Sequence, residues 1–350
     1  LPDIVAALDA TLNAGPLALI QNVSAERVVL TLEDARSGRI WQATNASLQL
    51  RRLESGLTLS VSSDVFNGTD DVAGLQLSFS FDDVSRDIGI GMRLVDVPAA
   101  DIADQSPILS WLGILDAPIS GAVRAEYDGT DGLARLSGAL DIAGGTLGPE
   151  GGTEPIGFEE ARAYFDFDPT RQRIEFNEIA VTSETLAAKA TGHAYLTEVS
   201  GGWPEAFVAQ FLVSDVAMNR PDVFEAPVSL ADAKVDLRLR LEPFAVDFAQ
   251  IALAGDEATI RARGFVAAGE AGWTVSLDAT TESIAIAKVL EFWPVIEAPV
   301  TRGWLQSNIK TGLLSDVTAA VRKVPGEELD LGLTFDFAGG EVQFLRDMPR

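Results

Sequence analysis

The sequence predicts a mostly β protein: a long, curled, largely antiparallel sheet with a few short capping helices. Apolar and polar residues alternate over most of the chain, as in Leu57, Leu59 and Val61 against Thr58 and Ser60. The continuous apolar strands and intervening long helices of a doubly wound parallel sheet do not occur. Turn-forming pairs separate the alternating segments at meander-like spacings: Asn67-Gly68, Asp128-Gly129, Asp131-Gly132, Asp168-Pro169, Gly201-Gly202 and Gly339-Gly340.

The first predicted element is a short helix, because Ile4, Val5, Leu8 and Leu12 form one apolar stripe that ends near Gly15. Residues 1–72 are therefore predicted to hold this helix and the first β strands. Alternating segments continue through residues 73–230 and 231–350, which we interpret as two β-groove repeats of one continuous elongated unit. The whole chain would hold about 18 to 22 strands, more than an open twisted sheet normally accommodates without curling or splitting.

Two further helices are predicted as an insert within the second repeat. The first carries Ile286, Val289 and Leu290 on one face and stops at Trp293-Pro294. The second would run from Pro299 to Lys310, with Trp304, Leu305 and Ile309 buried and Gly312 closing it. Trp293 and Trp304 are expected to pin these helices to the sheet, whereas Trp41 and Trp273 belong to strand patterns.

A five-residue phrase, acid-Ala-Pro-β-branched-hydroxyl, returns three times and indicates an internal repeat. Its copies begin at Asp116, Glu225 and Glu297. Asp96-Val97, Asp215-Val216 or Ser283-Ile284 precedes each copy. The spacing between copies is irregular, which argues against a β-helix with short, regular rungs.

Composition excludes several classes of function. The net charge of −26 repels phosphate backbones, so no nucleic-acid partner is expected. The chain contains no cysteine, which removes disulfides, thiolate metal sites and a cysteine nucleophile. We expect no metal and no cofactor.

No pattern of a catalytic centre is present, and we expect no enzymatic activity. The only histidine, His193, lies on the polar face of an alternating segment, where it is interpreted as an ordinary strand residue. A Ser-His-Asp triad would need this residue and a G-x-S-x-G elbow, which is absent. The glycines around Gly144 and Gly151 precede no helical pattern, so a phosphate-binding loop is less favoured than a turn.

The apolar face of the alternation has two interpretations that pattern alone does not separate. One is an open groove lined by apolar side chains; the other is a structural or interaction array whose sheets enclose a filled core. In the groove interpretation, the lining comprises Leu57, Leu59, Leu75, Leu77, Phe79, Ile90, Met92, Phe165, Phe167, Val235, Leu237, Leu239, Phe248, Val275, Leu277, Leu333 and Phe335.

Residues 273–322 carry a more distinctive arrangement of motifs. In order, they are Glu282-Ser283-Ile284-Ala285-Ile286, Glu291-Phe292-Trp293-Pro294, Pro299-Val300-Thr301-Arg302-Gly303-Trp304-Leu305 and Gly312-Leu313-Leu314. A Trp-Pro, a Trp-Leu helix and a strand that starts with Gly follow one another in this way in the AsmA-like superfamily. The chain resembles the YhdP/TamB type of that superfamily over roughly residues 75–345.

The resemblance implies a bridge-like lipid-transport protein of the bacterial envelope. Such a protein lies in the periplasm of a Gram-negative bacterium, is anchored in the inner membrane, and shields phospholipid acyl chains between the two membranes. Its partners would be phospholipid and the inner- and outer-membrane proteins at its ends. Since no initiator Met, signal peptide or long apolar run is present, we expect the sequence to be an internal fragment.

Overall fold

A computed structural model gives the fold. It describes residues 19–33, 40–66, 72–129, 132–148, 154–230, 232–255 and 258–342. The helix predicted from Ile4 to Leu12 and the turn predicted at Asn67-Gly68 lie outside these residues.

Within the described residues, 21 strands and four short helices occur. Eighteen strands belong to one large sheet, and β6, β9 and β10 form a small separate one. The strands are β1 (Asn22–Glu33), β2 (Ile40–Leu53), β3 (Gly56–Phe66), β4 (Ala73–Asp82), β5 (Ile88–Pro98), β6 (Leu115–Asp116), β7 (Pro118–Asp128), β8 (Gly132–Ile142), β9 (Gly145–Leu147), β10 (Ile156–Phe158), β11 (Glu160–Asp168), β12 (Arg173–Thr182), β13 (Leu186–Ser200), β14 (Trp203–Met218), β15 (Val228–Leu230), β16 (Ala233–Arg240), β17 (Ala245–Ala254), β18 (Thr259–Gly269), β19 (Gly272–Ala285), β20 (Ile309–Lys323) and β21 (Asp330–Val342). The helices are α1 (Ala99–Ala103), a 3₁₀ helix (Pro107–Ile114), α2 (Ile286–Phe292) and α3 (Pro299–Asn308).

The predicted fold class is confirmed: the chain is mostly β, its large sheet is antiparallel, and its helices are few and short. The chain divides into two compact units. Unit 1 comprises Leu1–Gly113, Ala117–Ala143 and Arg162–Glu175, and unit 2 comprises Ile114–Asp116, Gly144–Ala161 and Phe176–Arg350.

Unit 1 is a meander in which β1, β2, β3, β4, β5, β7 and β8 pair with their neighbours in chain order and β11 pairs with β8. The register keeps apolar residues on one face. One cross-strand row runs through Leu59, Phe79, Ile90, Ala125 and Leu136. Because side chains alternate along a strand, the serines and threonines between these residues fall on the opposite face.

The apolar face of unit 1 is most completely filled where short helices accompany it. Helix α1 follows β5 directly and buries Ile102, which is 4% exposed. Leu112 of the 3₁₀ helix is completely buried, and so are Ile119 and Leu140 of the sheet. A second buried cluster joins Leu57, Phe81 and Ile88.

Unit 2 continues the same plan. Strands β13, β14, β16, β17, β18, β19, β20 and β21 pair in chain order, and β15 adds a short pairing to β14. One apolar row crosses seven of these strands. It consists of Ala209, Leu237, Phe248, Gly264, Leu277, Val321 and Leu331.

Aspartates in the left-handed backbone region interrupt three strands. Asp96, Asp215 and Asp316 have φ angles of 55°, 53° and 50°, and each is followed by a valine. The strand pairing shifts register next to each of them. Bulges of this kind bend a strand and increase its twist. The Asp-Val pairs that precede the first two copies of the repeated phrase are thus bulge sites, whereas Ser283-Ile284 is not.

Four strand glycines share a second special conformation. Gly56, Gly121, Gly192 and Gly264 have φ angles between 142° and 156°. They follow one another after 65, 71 and 72 residues, counting from 56 to 121 to 192 to 264. A Cβ on Gly264 would lie 1.9 Å from the carbonyl oxygen of Ser276 on the next strand. These positions therefore require glycine, and glycine kinks are a device that curves sheets.

One predicted turn and one predicted helix end were wrong. Gly339-Gly340 lies inside β21 and does not form a turn. Helix α3 ends at Asn308, so Ile309 begins β20. The three copies of the repeated phrase also have different structures, since Pro118 begins a strand, Val228 begins a strand and Pro299 begins a helix.

Candidate functional site

The predicted lining residues of unit 1 share one face of its sheet. Leu57 and Leu59 lie opposite Phe81 and Phe79, and Leu77 lies opposite Met92. The remaining members are Leu75, Ile90, Phe165 and Phe167. Phe165 lies over Gly138 of β8, where a Cβ would meet the Phe165 ring at 2.5 Å.

The predicted lining residues of unit 2 also lie together. Val235, Leu237 and Leu239 face Ile251, Phe248 and Val246 of β17 across the strand pairing. Val275 lies opposite Val266, Leu277 opposite Gly264, and Leu333 opposite Ala319. Phe335 follows Leu333 on β21.

The exposure of these residues differs from that of a uniformly filled core. Leu57, Phe165, Phe167 and Val235 are buried. Leu77 and Phe335 are 36% and 41% exposed. The other eleven are half-buried: Leu59, Leu75, Phe79, Ile90, Met92, Leu237, Leu239, Phe248, Val275, Leu277 and Leu333. Each unit thus has an apolar sheet face that is only partly covered.

One part of this face lies beneath a helical hairpin. We call residues 286–308, which comprise α2, the link 293–298 and α3, the helical insert. Its base is fixed to the sheet by a hydrophobic cluster around Ile284, Ile286, Leu314 and Val317. Val289, Leu305 and Ile309 pack against the same cluster.

Beyond this base, the link of the helical insert overhangs the sheet and leaves a cleft of about 580 Å³. The sheet contributes small and branched apolar residues, among them Ala319, Val321 and Leu333. The helical insert contributes Phe292 and Trp293. The lining also includes a few polar residues: Thr280, Thr281, Glu297 and Thr301. The cleft has the size of a small-molecule site, about 300–1,000 Å³, and an apolar character.

A polar cluster holds the insert next to the cleft. Arg302, which is 8% exposed, donates a hydrogen bond from Nη2 to Glu225 Oε2 at 2.6 Å. Gln306 Nε2 donates to the same oxygen at 2.9 Å. In the link, the backbone N–H of Val295 donates to the carbonyl of Val223 at 2.7 Å. The helical insert is therefore joined to segment 223–225, which leads into the second copy of the repeated phrase.

Electrostatics favour the charged form of Glu225. The hydrogen bond from Arg302, the hydrogen bond from Gln306 and the positive charge of Arg302 all lower the pKa of Glu225 below its ordinary value. Glu225 keeps 63% of its side chain exposed, whereas Arg302 keeps 10%. The buried member of the pair is thus the arginine, and its charge depends on an exposed carboxylate for compensation.

The tryptophans of the helical insert do not behave alike. Trp293 lines the cleft and donates from Nε1 to the carbonyl of Glu297 at 2.8 Å. Trp304 is 44% exposed, so its predicted burial was wrong. The buried residue of α3 is Arg302. Sequence reasoning missed it, although it is the one charged residue of α3 and lies three positions after Pro299.

Other chemical features are sparse. His193 lies in β13, as predicted, with its ring 5.4 Å from that of Tyr195. Across the part of the chain that the structure describes, no group of three or more His, Asp or Glu residues could hold a metal ion. Among the same residues, no helix has the length and apolar character needed to cross a bilayer.

Comparisons with known proteins give no relative. The chain matches no protein-family model, no curated protein and no solved structure.

Proposed function

We propose that this chain is a lipid-binding conduit segment that carries phospholipid acyl chains along a hydrophobic β-groove. One observation carries the proposal: each unit keeps a continuous apolar sheet face half-exposed, and in unit 2 that face continues into the cleft of about 580 Å³. Contiguous apolar surface that stays exposed in a folded protein marks a binding site for a ligand or partner.

The free energy of acyl-chain transfer is sufficient for such binding. Each methylene group removed from water gains about 0.8 kcal/mol, so roughly ten methylenes on the apolar face gain about 8 kcal/mol before the cost of immobilisation. The polar opposite face keeps the segment in solution. The net charge of −26 disfavours adhesion to anionic leaflets.

The sequence resemblance to the AsmA-like superfamily agrees with this function and adds a proposed location and proposed partners. On that basis, the full-length protein is a periplasmic bridge of the YhdP/TamB type, anchored in the inner membrane of a Gram-negative bacterium. Its partners are inner- and outer-membrane proteins at the two ends of the bridge. It serves envelope homeostasis and outer-membrane biogenesis, and it works without catalysis.

A structural or interaction array is the second candidate. The complete burial of Leu112, Ile119 and Leu140 in unit 1 favours it, because that region is a filled core. A structural array would need every apolar face to be closed in this way, and the half-exposure of Leu59, Ile90 and their neighbours counts against it.

Site-specific photo-crosslinking tests the proposal with internal controls. A benzophenone amino acid replaces Leu333 or Leu77 on the apolar faces, and Thr334 or Ser78, the next residues along the same strands, on the opposite faces. After irradiation with phosphatidylcholine vesicles, we expect lipid adducts at Leu333 and Leu77 only. Equal adducts at all four positions, or adducts at none, would contradict the proposal.

A further inference from the structure

The helical insert is attached to unit 2 at two places of different chemistry. Its base is fixed by tightly packed apolar residues, including Ile286 and Leu314, which are 5% and 1% exposed. Leu305 of α3 packs against this base, while the link and the first turn of α3 are held by polar contacts, namely the hydrogen bond from Val295 to Val223 and the Arg302–Glu225 pair. Glu225 is exposed and can exchange its hydrogen bonds with water, whereas the apolar cluster has no such alternative partner.

The outer surface of the link and α3 is largely free of packing. Ile296 and Val300 are 67% and 84% exposed. Ala298, which precedes α3, has a φ angle of 42°, in the left-handed region that is costly for alanine. A strained residue between two short helices lowers the free-energy cost of moving the link, since a change in its φ and ψ relieves strain.

We infer that the helical insert is a lid, hinged at its packed base and latched to segment 223–225 by Arg302 and Val295, which opens to admit an acyl chain to the cleft. This inference rests on the proposed function, because that function supplies the acyl chain that the lid would retain. Phe292 and Trp293 would form the inner surface of the closed lid. Closure covers the chain with apolar side chains, and opening restores exchange with the rest of the groove.

The two charged residues of the latch differ in exposure, and this difference favours release. Arg302 is buried, and its Nε has no hydrogen-bond partner among the described residues, so its compensation comes through its Nη atoms. Glu225 is accessible to water. Loss of the Glu225 contact therefore leaves a buried charge without its counter-ion, which favours movement of α3 toward solvent.

A reversible crosslink tests the lid directly, since the chain contains no cysteine. The double variant Val223→Cys/Val295→Cys places the only two thiols at backbone-bonded neighbours. Uptake of pyrene-labelled phosphatidylcholine from phosphatidylcholine vesicles is followed by fluorescence in the oxidised and reduced forms. We expect oxidation to slow uptake by about an order of magnitude and reduction to restore the wild-type rate.

A second variant keeps the test independent of disulfide formation. Glu225→Gln removes the charge of the latch, and Glu198→Gln removes an exposed carboxylate that pairs with Arg238 away from the helical insert. We expect Glu225→Gln alone to speed both lipid uptake and, without lipid, amide hydrogen exchange in residues 293–302.

The outcomes separate the two proposals. Uptake that is equal in all forms, with unchanged hydrogen exchange in Glu225→Gln, would overturn the lid and leave the conduit proposal standing. No uptake by any form, wild type included, would overturn both.

Discussion

Two leucines on adjacent strands allow an experiment to distinguish an open apolar face from a filled core. Leu314 of β20 is 1% exposed and belongs to the packed base of the helical insert. Leu333 of β21 touches the same cluster but is only half-buried, and it lines the cleft. We expect Leu314→Ala to lower the free energy of unfolding markedly more than Leu333→Ala, although the chemical change is the same.

The magnitudes follow from the two environments. Truncation of a fully buried leucine costs about 2–5 kcal/mol, because a cavity remains. Full burial of a leucine side chain contributes about 1.5–3 kcal/mol, so a half-buried one contributes about 1 kcal/mol. Truncation of Leu333 mainly enlarges an existing cleft, so its cavity term is small. The expected difference between the two variants is therefore at least about 1 kcal/mol.

Urea unfolding followed by circular dichroism measures both values, provided that the slope with denaturant is unchanged between variants. Leu333→Asp extends the test, because an aspartate at an open face can reach water. It should retain the fold and lose lipid binding, whereas Leu314→Asp should unfold unit 2. Equal losses of stability for the two alanine variants, or unfolding by Leu333→Asp, would refute the open cleft.

Four further predictions concern other parts of unit 2. Leu237→Asp should abolish lipid passage in a vesicle-to-vesicle transfer assay while the circular dichroism spectrum is retained; global unfolding would indicate a filled core. Gly264→Ala should disrupt the β18–β19 pairing, because its Cβ would meet a backbone oxygen at 1.9 Å, whereas Gly332→Ala, with 3.7 Å to the nearest side chain, should be tolerated; similar melting temperatures would contradict this. Glu225→Ala should destabilise more than Arg302→Met, because only the former leaves a buried charge unpaired. Arg302 lowers the pKa of Glu225 below its ordinary value of 4.5. The contribution of this pair to the free energy of unfolding is therefore fully present above pH 4.5 and is lost as the pH falls through the lowered pKa. The unfolding midpoints of wild type and Glu225→Gln should therefore converge in acid and differ near neutral pH.

Local patterns accounted for much of the fold. The period-two alternation predicted the strands and their apolar faces, because neighbouring side chains of a strand point to opposite sides whatever the tertiary structure. Leu237 and Leu277, for instance, share a face in the structure as they do in the pattern. Trp293-Pro294 also predicted the end of α2, which stops at Phe292.

Contacts between distant segments were not predictable in this way. Arg302 and Glu225 are 77 residues apart, and nothing in their local sequence indicates that they meet. Trp304 was expected to be buried because it is large and apolar, yet the packed side of α3 is set by the position of the helical insert on the sheet. Gly339-Gly340 has the composition of a turn, but it lies at a register shift within β21, between Ala338 and Glu341, which both pair with β20.

The central claim, that the half-exposed apolar faces hold lipid, is tested most directly by native mass spectrometry of the protein purified without detergent, with lipid extraction from the same sample. The conduit proposal predicts bound phospholipid at a reproducible stoichiometry, reduced in Leu333→Asp. A lipid-free, stably folded monomer would contradict it and favour a β-array with a structural or interaction role.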